Sequence, residues 1–105
     1  MRMDLGDLTF EAAKPLVGTT FEVTLENGRT TTLRLDEALP YEVRQRRQRT
    51  KPKRDAFALY LLGDPSLVLP QGMYTLRGRE ATFENLFIVP IGQDETATEY
   101  EAVFT

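Results

Sequence analysis

Seven cationic side chains fall within residues 44–54: Arg44, Arg46, Arg47, Arg49, Lys51, Lys53 and Arg54. A run of this kind binds anions. Guanidinium groups grip phosphate or carboxylate through forked hydrogen bonds, and lysine adds a compact point charge. The whole chain has 13 basic and 16 acidic residues, a net charge of −3. Without the segment, six basic residues stand against 16 acidic ones, a net charge of −10. The protein is therefore an acidic body with a basic patch, which bears on its partners rather than on its fold.

Other chemistry is thinly supplied. The chain has no histidine and no cysteine, so the commonest general base, the commonest metal ligand and the thiol nucleophile are all missing. Ser66 is the single serine, with no histidine to activate it. Asp94, Glu95, Glu99 and Glu101 could offer oxygen ligands to a hard cation, but their spacing does not match a calcium-binding loop, and a solvated acidic loop is the simpler reading. That loop could also receive the basic segment. Sixteen carboxylates guarantee chance pairs, and no spacing singles out an acid and base couple. The expectation is a non-enzymatic protein that needs no cofactor and no metal.

The elements that must position these residues are strands. With 105 residues, 41% of them hydrophobic, the chain suits one domain with a single core. "TTFEVTLENGRTTTLRL" alternates Phe21, Val23 and Leu25 with polar residues. Asn27-Gly28 then predicts a type I′ hairpin turn, and Leu33 and Leu35 resume the alternation. Phe57, Leu59 and Leu61 mark a central strand that ends at Gly63-Asp64-Pro65. Shorter strands follow around Leu76, through Leu86–Ile91 and through Tyr100–Phe104, with Pro90 at an edge or bend. Ahead of them, "LTFEAAKPLVG" predicts a helix of about two turns: Thr9 caps it, Phe10, Ala13, Leu16 and Val17 form its stripe, Pro15 limits it and Gly18 ends it.

The predicted fold is mainly β: a small antiparallel β-barrel or sandwich of about six strands with one short N-terminal helix. It forms a single domain over residues 1–105, with a basic loop or hairpin arm at 44–54. The predicted core is Phe21, Val23, Leu33, Leu35, Phe57, Leu59, Leu76, Phe87, Val89, Tyr100 and Phe104. Tyr41 and Val43 before the basic segment, and Phe57 and Leu59 after it, have strand character. An arm turning near Thr50-Lys51-Pro52-Lys53 fits this, and so does a solvated loop.

Three partners could meet seven cations. Nucleic acid would do so through its phosphates, but no aromatic residues are interleaved to stack on bases. A membrane surface is disfavoured, because no apolar face accompanies the charges. Another protein surface fits best, since the body of a second copy carries −10. A basic arm on an acidic neighbour would give head-to-tail association into a ring or filament. The expected function is thus a structural or adaptor subunit of an oligomer, with a nucleic-acid-binding module as the alternative. No apolar run is long enough to span a bilayer and the first residues lack a signal-peptide pattern, so the expected location is the cytoplasm or an assembled particle.

The two ends of the chain resemble a family of small uncharacterised bacterial proteins. The residues that carry the resemblance are Pro15 to Gly18, Phe21, Leu69 to Gly72, Tyr74, Leu76, Phe87 to Gly92, and Tyr100 to Phe104. They supply "LPQG" before a tyrosine strand, "FIVPIG", and a closing "YEAVF". The basic segment departs from the resemblance, which implies a shorter connection there. The family has no assigned activity. The resemblance further implies genes beside those for phage-tail-collar or short-tail-fibre-like proteins, hence a place in tail-like assemblies and a tail-fibre or collar-like protein as partner.

Overall fold

A computed structural model of the chain describes residues 2–3, 5, 8–40 and 56–104. All seven cationic residues, with Tyr41 and Val43, lie outside the described residues, and so does any arm at 44–54.

The helix begins where the sequence requires. The Thr9 hydroxyl accepts a hydrogen bond from the Ala12 N–H at 3.2 Å, satisfying one orphan donor of the first turn. The α-helical part, α1, spans Phe10–Ala13, and a 3₁₀ turn over Lys14–Leu16 continues it. Pro15 has no N–H to donate to an α-helical partner, which accounts for the tighter final turn. Ala13 and Leu16 are buried, Phe10 is half-buried, and Gly18 turns the chain away at φ 95°. Val17 falls outside the helical turn and is exposed, so the buried stripe is one residue shorter than predicted.

The strands are β1 (Arg2–Met3), β2 (Thr20–Thr24), β3 (Thr30–Pro40), β4 (Phe57–Gly63), β5 (Gly72–Arg77), β6 (Thr82–Gln93) and β7 (Thr98–Phe104). Six of them close an antiparallel barrel in the order β2-β3-β4-β7-β6-β5 and back to β2. It is made of two three-stranded meanders. They join along the full length of β4 and β7 on one side and at only two pairs, Glu22–Arg77 and Val23–Leu76, on the other. β1 adds to β6 in parallel at Thr82 and Phe83. Closure removes the exposed edges that an open sheet of this size would present.

Alternation fills the interior. Phe21 and Val23 of β2, Leu33 and Leu35 of β3, Phe57, Leu59 and Leu61 of β4, Leu76 of β5, and Tyr100 and Phe104 of β7 are all buried. Phe57 and Phe104 stack with ring centroids 4.7 Å apart, and Phe10 of the helix reaches the Phe57 ring at 6.3 Å. The helix thus packs beside the end of the barrel where β4 begins.

Two predictions fail, each for a local backbone reason. The first is the turn type. A type I′ turn needs positive φ at both central residues. Here only Gly28 has it, at 83°, and Asn27 does not. Gly28 N–H donates to Leu25 C=O, and Leu25 N–H donates to Arg29 C=O. The loop is therefore the three-residue Glu26-Asn27-Gly28, with glycine in the left-handed position. The Asn27 side chain accepts from Arg29 N–H at 2.9 Å, which holds that longer form.

The second is the register of β6. Between the pairs Leu76–Phe83 and Tyr74–Leu86, β5 advances two residues and β6 advances three. The extra residue is a β-bulge at Glu84-Asn85, with Asn85 at φ 56° and its N–H directed to the Thr75 hydroxyl at 3.5 Å. Beyond the bulge, inside and outside exchange. Phe83, Leu86 and Ile88 are buried, whereas Phe87 is 47% exposed and Val89 is half-buried. Phe87 and Val89 therefore do not belong to the core.

Candidate interaction site

In the sequence, the basic segment lies between two described strand ends. β3 runs out at Pro40, β4 begins at Phe57, and these two residues are paired. Phe57 in turn pairs with Phe104. The strand ends that flank the segment therefore lie together at the end of the barrel shared by β3, β4 and β7.

The outer surface next to that end reads off the ladders. Ala58 pairs with Leu39 on one side and Val103 on the other. One row further in, Tyr60 pairs with Glu37 and Glu101, and Glu101 pairs with Val89 of β6. A bulge at Asp36 sets this phase on β3 by placing Glu37 opposite Tyr60. The Tyr60 hydroxyl donates to Glu101 Oε2 at 2.8 Å, which fixes that carboxylate on the surface. Leu62 pairs with Glu99 in the following row. The row nearest Pro40 and Phe57 thus has Leu39 and Val103 exposed with Ala58 buried between them, and carboxylates occupy the next two rows, Glu37 and Glu101 in the first and Glu99 in the second.

Asp94, another of the predicted acidic residues, closes a turn. Asp94 Oδ1 accepts from Thr96 N–H at 2.8 Å, Thr96 Oγ1 at 2.7 Å and Ala97 N–H at 3.0 Å. The hydrogen bonds from Thr96, then that from Ala97, hold the Asp94 carboxyl below its ordinary range. Asp64 is depressed likewise, by the hydroxyl and then the N–H of Ser66. The single serine of the chain thus closes a turn, donating to Asp64 at 2.7 Å. Among the described residues, no group of three or more acidic side chains is placed to hold a metal ion.

At another part of the barrel, side chains tether the loop from Asp64 to Pro70. Thr98 Oγ1 donates to Asp64 C=O, Gln93 Nε2 to Pro65 C=O, and the Tyr74 hydroxyl to Pro70 C=O. The Tyr100 hydroxyl accepts from Leu69 N–H at 2.9 Å and donates to Leu67 C=O at 3.4 Å. Burial pushes the Tyr100 phenol up, which keeps it a neutral donor. Between this loop, β5 and the β2–β3 turn lies an open groove of about 960 Å³ with mixed polar and apolar walls. The sequence reading placed Tyr100 in the core but missed its tether. The available signal was a tyrosine at an inward position, whose hydroxyl must find a partner when buried.

The described residues define a small closed antiparallel β-barrel with one short N-terminal helix, in which the connection between β3 and β4 carries the seven cations. Residues 8–104 match the family described as Domain of unknown function (DUF6916), and the chain belongs to that family. No curated protein and no solved structure matches it.

Proposed function

We propose that this protein is a non-enzymatic structural or adaptor subunit of an oligomeric assembly, in which the basic segment 44–54 contacts an acidic protein surface. One observation carries the reading: seven cations sit in one short connection of a chain whose remainder carries −10. The lack of histidine and cysteine supports the non-enzymatic part. A tail-like particle, with a tail-fibre or collar-like protein as neighbour, is the kind of assembly that the bacterial resemblance implies. Nucleic acid is the competing partner for the cations, weakened by the lack of interleaved aromatics in 44–54.

The test uses the parent protein and a variant with Arg44, Arg46, Arg47, Arg49, Lys51, Lys53 and Arg54 all changed to Gln. Light scattering after size exclusion, at low and high salt, reads assembly. The parent should associate more at low salt, because exposed charge pairs are screened as salt rises, and the variant should not. Both should keep the same circular dichroism. Salt-sensitive retention of DNA or RNA on a filter by the parent alone, without self-association, would replace this reading with the nucleic-acid one.

A further inference from the structure

The barrel closes unevenly, and its loose seam leaves a strand edge open. β5 pairs with β6 along Gly72–Arg77 but with β2 only at Leu76 and Arg77. If the β2–β5 register ran on, Leu25 would meet Tyr74 and Glu26 would meet Met73. The hairpin turns back there instead, with Leu25 N–H donating to Arg29 C=O and Gly28 N–H to Leu25 C=O. The groove of about 960 Å³ opens at this point. Gly78 N–H donates to Ala81 C=O, toward the β6 side. Alternation then turns the main-chain groups of Leu76, Tyr74 and Gly72 toward β6 and those of Met73 toward the groove. The bulge at Glu84-Asn85 lies on β6 and leaves this phase of β5 intact. Among the described residues, no partner meets the Met73 N–H or C=O on the groove side. An open edge of this kind is a template for another extended chain.

The walls of the groove say what enters it. The turn Leu25–Asn27 stands on one side and the loop Leu67–Gln71 on the other. Hydrogen bonds from Tyr74 to Pro70 and between Tyr100 and both Leu67 and Leu69 hold that loop, so the groove is formed in advance and binding costs little ordering. A single extended chain needs one strand's width, about 4.8 Å from β5. A second sheet would bring its own neighbouring strands against both walls. The charged residues that line the groove are one of each sign, Glu26 and Arg77, so it has no excess of cations to hold phosphates. Apolar surface lies on both faces of the edge. Met73 is 66% exposed on the outside, and Leu25 and Tyr74 are half-buried against the core on the inside. A residue of an added strand opposite Tyr74 shares its inward side, and an apolar one would cover Leu25 and Tyr74. The stretch Gly72–Thr75 spans roughly 14 Å, the length of a short strand.

We propose that the open edge of β5 receives an extended, apolar peptide segment of a partner protein as an added strand, hydrogen-bonded to the main chain of Met73. The site is separate from the basic segment and does not depend on it.

A displayed library of random short peptides, panned on the full chain, supplies the probe. The most enriched peptide is synthesised and its dissociation constant read by fluorescence anisotropy. Met73→Pro removes the groove-directed N–H and spares the β6 ladder, a position where a strand tolerates proline. Met73→Ala keeps the N–H. The proline variant should bind at least about tenfold more weakly than the alanine variant. The seven-glutamine variant should bind as the parent does, so this inference and the basic-segment reading fail separately. N-methylation of the peptide gives a second reading on the parent protein, which serves if Met73→Pro unfolds. Methyl groups on one alternate set of peptide amides should abolish binding, and on the other set should be tolerated. Failure to enrich any peptide, equal binding by the proline and alanine variants, equal effects of the two methylated sets, or loss of binding in the seven-glutamine variant would each overturn the proposal. So would a parent that self-associates and is dissociated by Met73→Pro, which would put a second copy's strand at this edge.

Discussion

β4 and β6 are both long, apolar-rich strands, and they spend their apolar residues differently. β4 keeps unbroken alternation: Phe57, Leu59 and Leu61 point inward, and every residue from Phe57 to Gly63 pairs with β7. β6 is broken twice, at Glu84-Asn85 against β5 and at Ile91 against β7. It must bend around a narrow barrel while pairing with β1, β5 and β7 along its length, and bulges supply that bend. The first bulge exchanges inside for outside, which puts Phe87 on the surface and Phe83 in the core. An apolar residue in a strand is thus in the core or on the surface according to the backbone phase upstream of it.

The sharpest way to break this comparison is to truncate the two phenylalanines separately. Phe83 is fully buried and packs on Phe21 with ring centroids 5.2 Å apart. Phe83→Ala should cost about 3–5 kcal/mol in urea unfolding. Phe87→Ala should cost about 1 kcal/mol or less in a monomeric sample, where little apolar area is lost. The reverse order would restore unbroken alternation to β6.

Tyr100→Phe comes next. It keeps the inward ring but strands the Leu69 N–H, which otherwise donates to the hydroxyl at 2.9 Å. The expected cost is about 1–2 kcal/mol, with faster hydrogen exchange concentrated in the Asp64–Pro70 loop. An unchanged urea midpoint would mean that the tether contributes nothing.

The bulge itself can be tuned through Asn85, which holds φ 56°. Asn85→Ala should destabilise by about 1 kcal/mol, because a Cβ without a compensating polar group is strained there, while Asn85→Gly should be close to neutral. Equal effects of the two would remove backbone strain as the explanation.

Much of this fold is legible without coordinates. Thr9 as helix cap, Pro15 as limit, the β2–β3 hairpin and the inward set of β4 and β7 all follow from periodicity and capping chemistry. The β6 phase does not, because "TFENLFIVPIG" offers two apolar phases and only the bulge chooses between them. Asn85 was the available hint, since asparagine tolerates the left-handed region. The hairpin turn shows the same limit: Asn-Gly fits a two-residue loop, but Leu25 and Arg29 pair around a three-residue one. The candidate site was half legible. The seven cations are plain in the sequence, whereas the carboxylate row needs the barrel to bring Glu37 beside Tyr60 and Glu101.

The smallest expected effect is in acid. Asp64 and Asp94 have folded pKa values below the ordinary 3.8 because hydrogen bonds favour the charged form. Their contribution is therefore complete above that value and is lost as pH falls through the folded values below it. The Asp64→Asn, Asp94→Asn double variant should show a shallower loss of thermal stability over that acid range and little change near neutrality. An identical acid profile would show that the turns do not depend on ionised carboxylates.

The central functional claim is that cations of 44–54 meet carboxylates of another copy. Zero-length carbodiimide coupling joins an amine to a carboxylate only where they touch, and the segment offers Lys51 and Lys53. An equal mixture of ¹⁴N and ¹⁵N protein, coupled at low salt and read by mass spectrometry, distinguishes links between copies from links within one. The account predicts mixed-isotope peptides joining Lys51 or Lys53 to Glu37, Glu99 or Glu101, fading at high salt. Links that are always of a single isotope, or no link from either lysine to these carboxylates, would contradict it.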